Sequence, residues 1–291
     1  MKFVTIPRII GIALLIVAAL ALKTQTVLHA VLLAIPGLIL LLTPAANGKK
    51  HWQDFLASLK FRKEFALVML YDVLLFVLLS ILLLVFKNAA QGIIGDLRGI
   101  TLGTGVTVGQ VISYNEILGS VFTTAIISII ALWLLTVLVH SISRGLIWLT
   151  LLDRPASLAF FRTFFFADLV WGTAWLVLIL FVMASMQPIP GAYATLVLSM
   201  LYVHLTTVFQ HSCAKTGQFR KPFSEAFSIG LGRLGSFVHA YVYLFIGYVI
   251  VSQLQRVQQG TMLNAVISMV VFLAFFAWYR TYMRNILRKL A

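Results

Sequence analysis

The sequence predicts an all-α polytopic membrane protein, with about eight transmembrane helices in four hairpins, amphipathic lead-in helices at the interface and an internal repeat. Three observations carry that expectation. Hydrophobic residues fill 61% of the 291 positions and charged residues only 10%, against roughly 25% charged in soluble domains. The apolar residues form long runs separated by short polar or basic joints, as helices that satisfy their own backbone in lipid require. The joints themselves recur: His211-Ser212-Cys213-Ala214-Lys215 is echoed by His140-Ser141-Ile142-Ser143-Arg144 and more loosely by Arg280-Thr281-Tyr282-Met283-Arg284. His140 and His211 are 71 residues apart, and the same shift carries Arg162 onto Arg233 and Asp168 onto His239.

Taken in order, residues 9–22 and 27–42 make an N-terminal transmembrane hairpin (1–43) around the polar turn Lys23-Thr24-Gln25-Thr26. The rival reading is a cleaved signal peptide, since Lys2 and Arg8 form a basic start and Ala19-Leu20-Ala21 a small-residue cleavage site. A retained signal anchor is preferred, and cleavage leaves the later topology unchanged. Three repeated hairpins follow in a membrane domain, at 44–140, 141–211 and 212–291. In the first, Trp52, Phe55, Leu56 and Leu59 recur at helical spacing opposite Lys49, Lys50, Gln53 and Lys60, which predicts a helix lying on the membrane surface. Similar lead-ins are expected at 157–164 and 224–234.

The third span covers 64–86. Residues 87–116, rich in glycine, are expected as a non-cytoplasmic loop with a β-hairpin turning at Gly103-Thr104-Gly105, from the period-two alternation on either side. The fourth span, 117–139, continues to about Leu152 with Trp148 at the interface, until Asp153-Arg154-Pro155 breaks it. Residues 164–186 and 192–209 form the next hairpin about the turn 187–191, and 237–254 and 261–279 the last. Paired spans put both termini on one side. Of the 22 Lys and Arg residues, only Lys23, Lys87, Arg98 and Arg256 fall on the other side, so the termini are expected in the cytoplasm of a cell-membrane protein.

A formal charge of +14 does not imply nucleic acid, because the cations lie between apolar runs rather than on a soluble surface. The expected partners are the bilayer and its anionic headgroups, with other membrane subunits or a second copy of the chain as further partners. Gly230-Leu231-Gly232-Arg233-Leu234-Gly235 matches a dinucleotide fingerprint as a string, but no strand precedes it and no acidic ribose ligand follows. Close helix packing or a bend explains these glycines better. Thr107-Val108-Gly109 likewise lacks the Tyr-Gly and pore helix of a potassium filter. Cys213 stands alone, and no cofactor or metal is expected.

The remaining candidates are polar groups inside apolar runs. Asp72, Asp168 and His239 each lie on the first helix of a hairpin, and a carboxylate at a helix centre costs about 2.5–3.5 kcal/mol on insertion scales. With His204 they form the expected substrate or proton pathway. Asp168 has a bland alternative, a surface pair with Arg162. His140, Arg144, His211, Lys215, Arg280, Arg284, Lys60, Arg62 and Lys63 are read as interfacial lipid contacts, at helix C-termini or in the first lead-in. Haem ligation by His140, His204 and His211 is the sharper but weaker alternative. No familiar catalytic motif is present. The leading function is a transport or permease-type subunit, because repeated hairpins with intramembrane polar groups suit a pathway between helix pairs. A structural or assembly subunit of a membrane complex comes next, and an intramembrane lipid-acting enzyme or haem-binding subunit after it.

Overall fold

The computed structural model describes residues 63–98, 108–257 and 262–290, together with Ala13, Leu15, Gln53 and residues 55–58. Among the described residues every regular element is an α-helix: α1 (Lys63–Arg98), α2 (Val108–Leu152), α3 (Leu158–Ser185), α4 (Pro188–Thr216), α5 (Lys221–Gly230), α6 (Leu234–Val257) and α7 (Met262–Leu290). Among the described residues five helices are long and apolar enough to cross a membrane, and a sixth span results if α5 and α6 count as one broken crossing. The chain is a multi-pass membrane protein. Its first expected hairpin lies outside the described residues except for Ala13 and Leu15, both helical.

Local chemistry sets the helix ends. Asp153 takes a left-handed backbone (φ 55°) directly after α2, a conformation that aspartate tolerates better than most residues. Arg154 N–H then closes onto the Leu149 carbonyl at 2.9 Å. Ser157 opens α3 by accepting the Phe160 N–H at 3.2 Å, which satisfies one of the first-turn donors left without a helical partner. Gly217, at φ 65°, ends α4.

The helices depart from the sequence expectation at four places. Helix α1 passes residue 86 and runs to Arg98, and α2 begins at Val108, so most of 87–116 is helical rather than loop. The end of an apolar run ends the span but not the helix, because Asn88-Ala89-Ala90-Gln91 can continue it outside lipid. The proposed turn at Gly103-Thr104-Gly105 lies outside the described residues. Residues 157–164 are not a separate lead-in but the first turns of α3, since neither Gly nor Pro interrupts the chain between Ser157 and Gly172. Pro188 and Pro190, expected in the turn, instead open α4, where an absent N–H costs nothing. Finally, Trp148 is 1% exposed, turned into the protein beside Ile147 and Leu151 rather than out to the interface.

The chain divides into two compact units, and α1 and α4 contribute residues to both. One comprises residues 70–202 and 216–220. Here α2 and α3 pack as an antiparallel pair, closely enough that a Cβ on Gly145 would stand 2.9 Å from the Phe161 ring. Leu83, Leu84, Val85, Phe122, Ile127 and Phe181 are among its exposed apolar side chains, the outward face expected against lipid.

The other unit comprises residues 1–69, 203–215 and 221–291. Its core is the C-terminal half of α7, where Ala277, Trp278, Tyr282, Met283 and Leu287 are buried. Phe55 meets Trp278 and Tyr282 edge-on, while Trp278 stacks on Tyr282 with ring centroids 5.9 Å apart. Trp278 also donates its indole N–H to Ser58 Oγ at 2.8 Å. The first lead-in is thus anchored by Phe55 and Ser58, while Leu56 stays exposed. Helices α5 and α6 meet at 77°. A Cβ on Gly230 would stand 2.5 Å from Leu205 Cδ2, and one on Gly232 only 2.3 Å from the Ser228 carbonyl oxygen. These glycines serve close packing and a bend.

Candidate functional site

In the unit of residues 70–202, three helices bring four polar side chains into one connected chain. Asp72 on α1 is 3% exposed and receives a hydrogen bond from Arg144 Nη1 on α2 at 2.9 Å. Arg144 Nε also donates to His140 Nε2, one turn earlier on the same helix, at 3.4 Å. The other ring nitrogen of that histidine, Nδ1, is 2.9 Å from Asp168 Oδ2 on α3. Asp168 is 4% exposed, and the same Oδ2 accepts from Ser141 Oγ at 2.8 Å. A brace completes the joint between α1 and α2, as Ser143 Oγ donates to the Tyr71 carbonyl at 3.1 Å.

The bonding assigns a tautomer. Arginine Nε–H can only donate, so His140 Nε2 must offer its lone pair and the ring hydrogen sits on Nδ1, pointed at Asp168. His140 is then neutral and each of its nitrogens is used. Formal charges follow: Asp72 and Arg144 cancel, while Asp168 is held by two neutral donors. The set retains one negative charge.

These residues occupy corresponding ends of antiparallel helices: early in α1, late in α2 and early in α3. They lie near one end of the exposed apolar band, which on α1 extends over Leu67–Val85 and on α2 over Leu118–Ile142. A cavity of about 140 Å³ opens beside Asp168 and His140, lined also by Trp133, Thr136, Gly172 and Tyr202. Trp133 is two helical turns before His140, so at ~1.5 Å per residue the cavity reaches about 10 Å further into the apolar band. The Trp133 indole N–H donates to Thr173 at 3.2 Å and so fixes the ring.

His204 belongs to the other unit and has a different setting. Its Nε2 lies 2.8 Å from the Gly230 carbonyl, which can only accept, so Nε2 carries the hydrogen. Nδ1 then accepts from the Tyr241 hydroxyl. One turn further along α4, Thr207 Oγ1 lies 3.2 Å from the Tyr279 hydroxyl. Thr207 donates back to the Val203 carbonyl at 2.8 Å. These polar contacts tie α4 to α6, to α7 and to the last carbonyl of α5, at the bend.

The other expected residues are dispersed. His211 is buried on α4, and its neighbour Ser212 donates to Glu225 on α5 at 2.6 Å. His239 is half-buried on α6. Arg280 and Arg284 are 9% and 6% exposed, and Arg284 lies 4.0 Å from Glu64, whereas Lys63 and Lys215 are exposed. Lys60 and Arg62 lie outside the described residues. Asp72, Asp168, His140 and Arg144 are thus brought together, with Arg144 as the cation at Asp72 and His140 rather than Arg162 at Asp168. Ser141 was visible only as part of the repeated joint. Trp133, Gly172 and Tyr202 resemble ordinary span residues, and nothing in the sequence distinguishes them.

With both ring nitrogens hydrogen-bonded, neither His140 nor His204 presents a lone pair to haem iron. Among the described residues no three His, Cys, Asp or Glu side chains gather in a way that could hold a metal ion. No protein-family model, curated protein or solved structure matches the chain.

Proposed function

We propose that the protein is a transport or permease-type subunit of the cell membrane, with the Asp72–Arg144–His140–Asp168 chain at the cytoplasmic end of its pathway. One observation carries this reading: a polar chain across three apolar helices, with two buried carboxylates and a net charge, beside a cavity that reaches further into the apolar band. Such groups in membrane spans serve substrate or ion pathways more often than packing. The cytoplasmic assignment, and both termini on that side, rest on the Lys and Arg distribution. Exposed Lys63 and Lys215 suit anionic headgroups. An internal repeat is supported by Ser141 and Ser212, 71 residues apart, each donating to a carboxylate on the following helix. One repeat uses Asp168 and the other Glu225.

A second reading, a structural or assembly subunit, is favoured by the close pairing of Asp72 with Arg144, because a fully neutralised pair needs no further role. Reconstituted vesicles containing a pH-sensitive dye separate the two. Test solutes are an amine, a sugar, an amino acid and inorganic salts. Under the transport reading one class produces a protein-dependent pH change, and Asp72→Asn inserts normally but loses it. If no class moves above empty vesicles while Asp72→Asn lowers thermal stability, the structural reading replaces it.

A further inference from the structure

We infer that the cavity beside Asp168 binds a small organic cation, an alkylammonium of about choline size. This deepens the transport reading and rests on it for its physiological role. The first reason is charge. Asp72 is neutralised by Arg144, but the two hydrogen bonds to Asp168 come from the neutral His140 Nδ1–H and from Ser141, both on Oδ2. A carboxylate within an apolar span that keeps its negative charge is costly, and a bound cation offsets it.

The walls supply the second reason. Trp133 and Tyr202 line the cavity with Leu79 and Val137, so a cation seated there has aromatic rings and hydrocarbon around it and one carboxylate beside it. That combination suits an alkylated ammonium, whose charge is spread and weakly hydrated. A bare metal ion fits poorly, because Ca²⁺ or Mg²⁺ needs about six oxygen ligands, and among the described residues Asp168 is the only carboxylate on the wall.

Size is the third reason. At about 140 Å³ the space is close to the ~150 Å³ engineered cavity that admits benzene, and choline is of similar bulk. Gly172 contributes part of this room. A Cβ there would stand 3.7 Å from the Trp133 ring, an ordinary contact, so packing does not demand glycine and a larger side chain would grow into the cavity.

The test uses the purified full chain in nanodiscs of phosphatidylglycerol, titrated calorimetrically with choline and with dimethylbutanol, in which carbon replaces the charged nitrogen. Saturable choline binding is expected, at least about tenfold tighter than the neutral isostere. Asp168→Asn, which keeps the acceptor but removes the charge, should weaken choline binding by about tenfold or more. Gly172→Val should do the same by occupying the space, with Gly172→Ala as the folding control. Because Gly172→Val leaves the polar chain untouched, the test survives even if Asp168→Asn fails to fold. Repeating the titration in phosphatidylcholine discs identifies the source: loss of free-choline binding there means that a lipid headgroup fills the same site, and unchanged binding means that the ligand is soluble. The inference is overturned if wild type shows no saturable choline binding, if dimethylbutanol binds equally well, or if Gly172→Val binds like wild type. None of these outcomes depends on flux, so binding without transport would sink the transport reading alone, and transport of another solute without choline binding would sink this inference alone.

Discussion

Arg144→Met is expected to destabilise the protein by about 3–5 kcal/mol, because it leaves the Asp72 carboxylate buried without its cation. The side chains of Asp72 and Arg144 are 4% and 18% exposed, so little water is available to replace the guanidinium. The change also removes the Nε–H that fixes His140, so the loss extends beyond one ion pair. Removing both charges should cost much less, since a buried pair replaced by groups of similar size is often neutral or better. Equilibrium unfolding in mixed micelles measures this: Arg144→Met should be far less stable than Asp72→Asn with Arg144→Met. If the single and double variants are equally stable, the pair is solvated and contributes little.

Trp278→Ala should have the next largest effect. The indole is stacked on Tyr282, meets Phe55 edge-on and donates to Ser58, so truncation opens a cavity in the core of its unit and detaches the first lead-in. Trp→Ala changes in cores cost about 3–5 kcal/mol. The lower end is expected here, because lipid is as apolar as a protein core and the loss falls on packing rather than on transfer from water. Trp278→Phe keeps most of the ring contact and loses only the bond to Ser58, a cost of about 1 kcal/mol. Unfolding midpoints, with protease cleavage near residue 55 as a local readout, check both. Equal stability of the two variants would mean that the hydrogen bond, not the packing, anchors the lead-in.

Much of this architecture was legible in the sequence for physical reasons. Asp153-Arg154-Pro155 marks the end of α2 because Pro155 disfavours helical backbone before it, and the helix stops at Leu152. The glycines at 230 and 232 announce a bend because nothing larger fits there. Hydropathy singles out Asp72 and Asp168, and both are buried.

What sequence could not provide was their partners. Arg144 follows an apolar run and carries a cation at a helix end, a pattern equally suited to headgroups. Whether it turns inward depends on where α1 packs, 72 residues away, and local spacing carries no record of that. Asp168 has Arg162 nearby in sequence, yet six residues along a helix is almost two turns, while His140 approaches from the neighbouring helix. The cavity was invisible for a related reason. Trp133, Gly172 and Tyr202 acquire a role only when three helices place them around one space.

The central claim is that Asp72 on α1 and Asp168 on α3 belong to one unit through Arg144 and His140. A double-mutant cycle on Asp72→Asn and Asp168→Asn tests it most directly, using unfolding free energies in the same micelles. Separate sites without shared partners add to within about 0.3–0.5 kcal/mol. The connected chain predicts a larger interaction, because Asp72→Asn releases Arg144 from its carboxylate and so alters how His140 holds Asp168. A coupling of about 1 kcal/mol or more, abolished when His140 is replaced by Phe, is the expected result. Strict additivity with His140 in place would contradict the account.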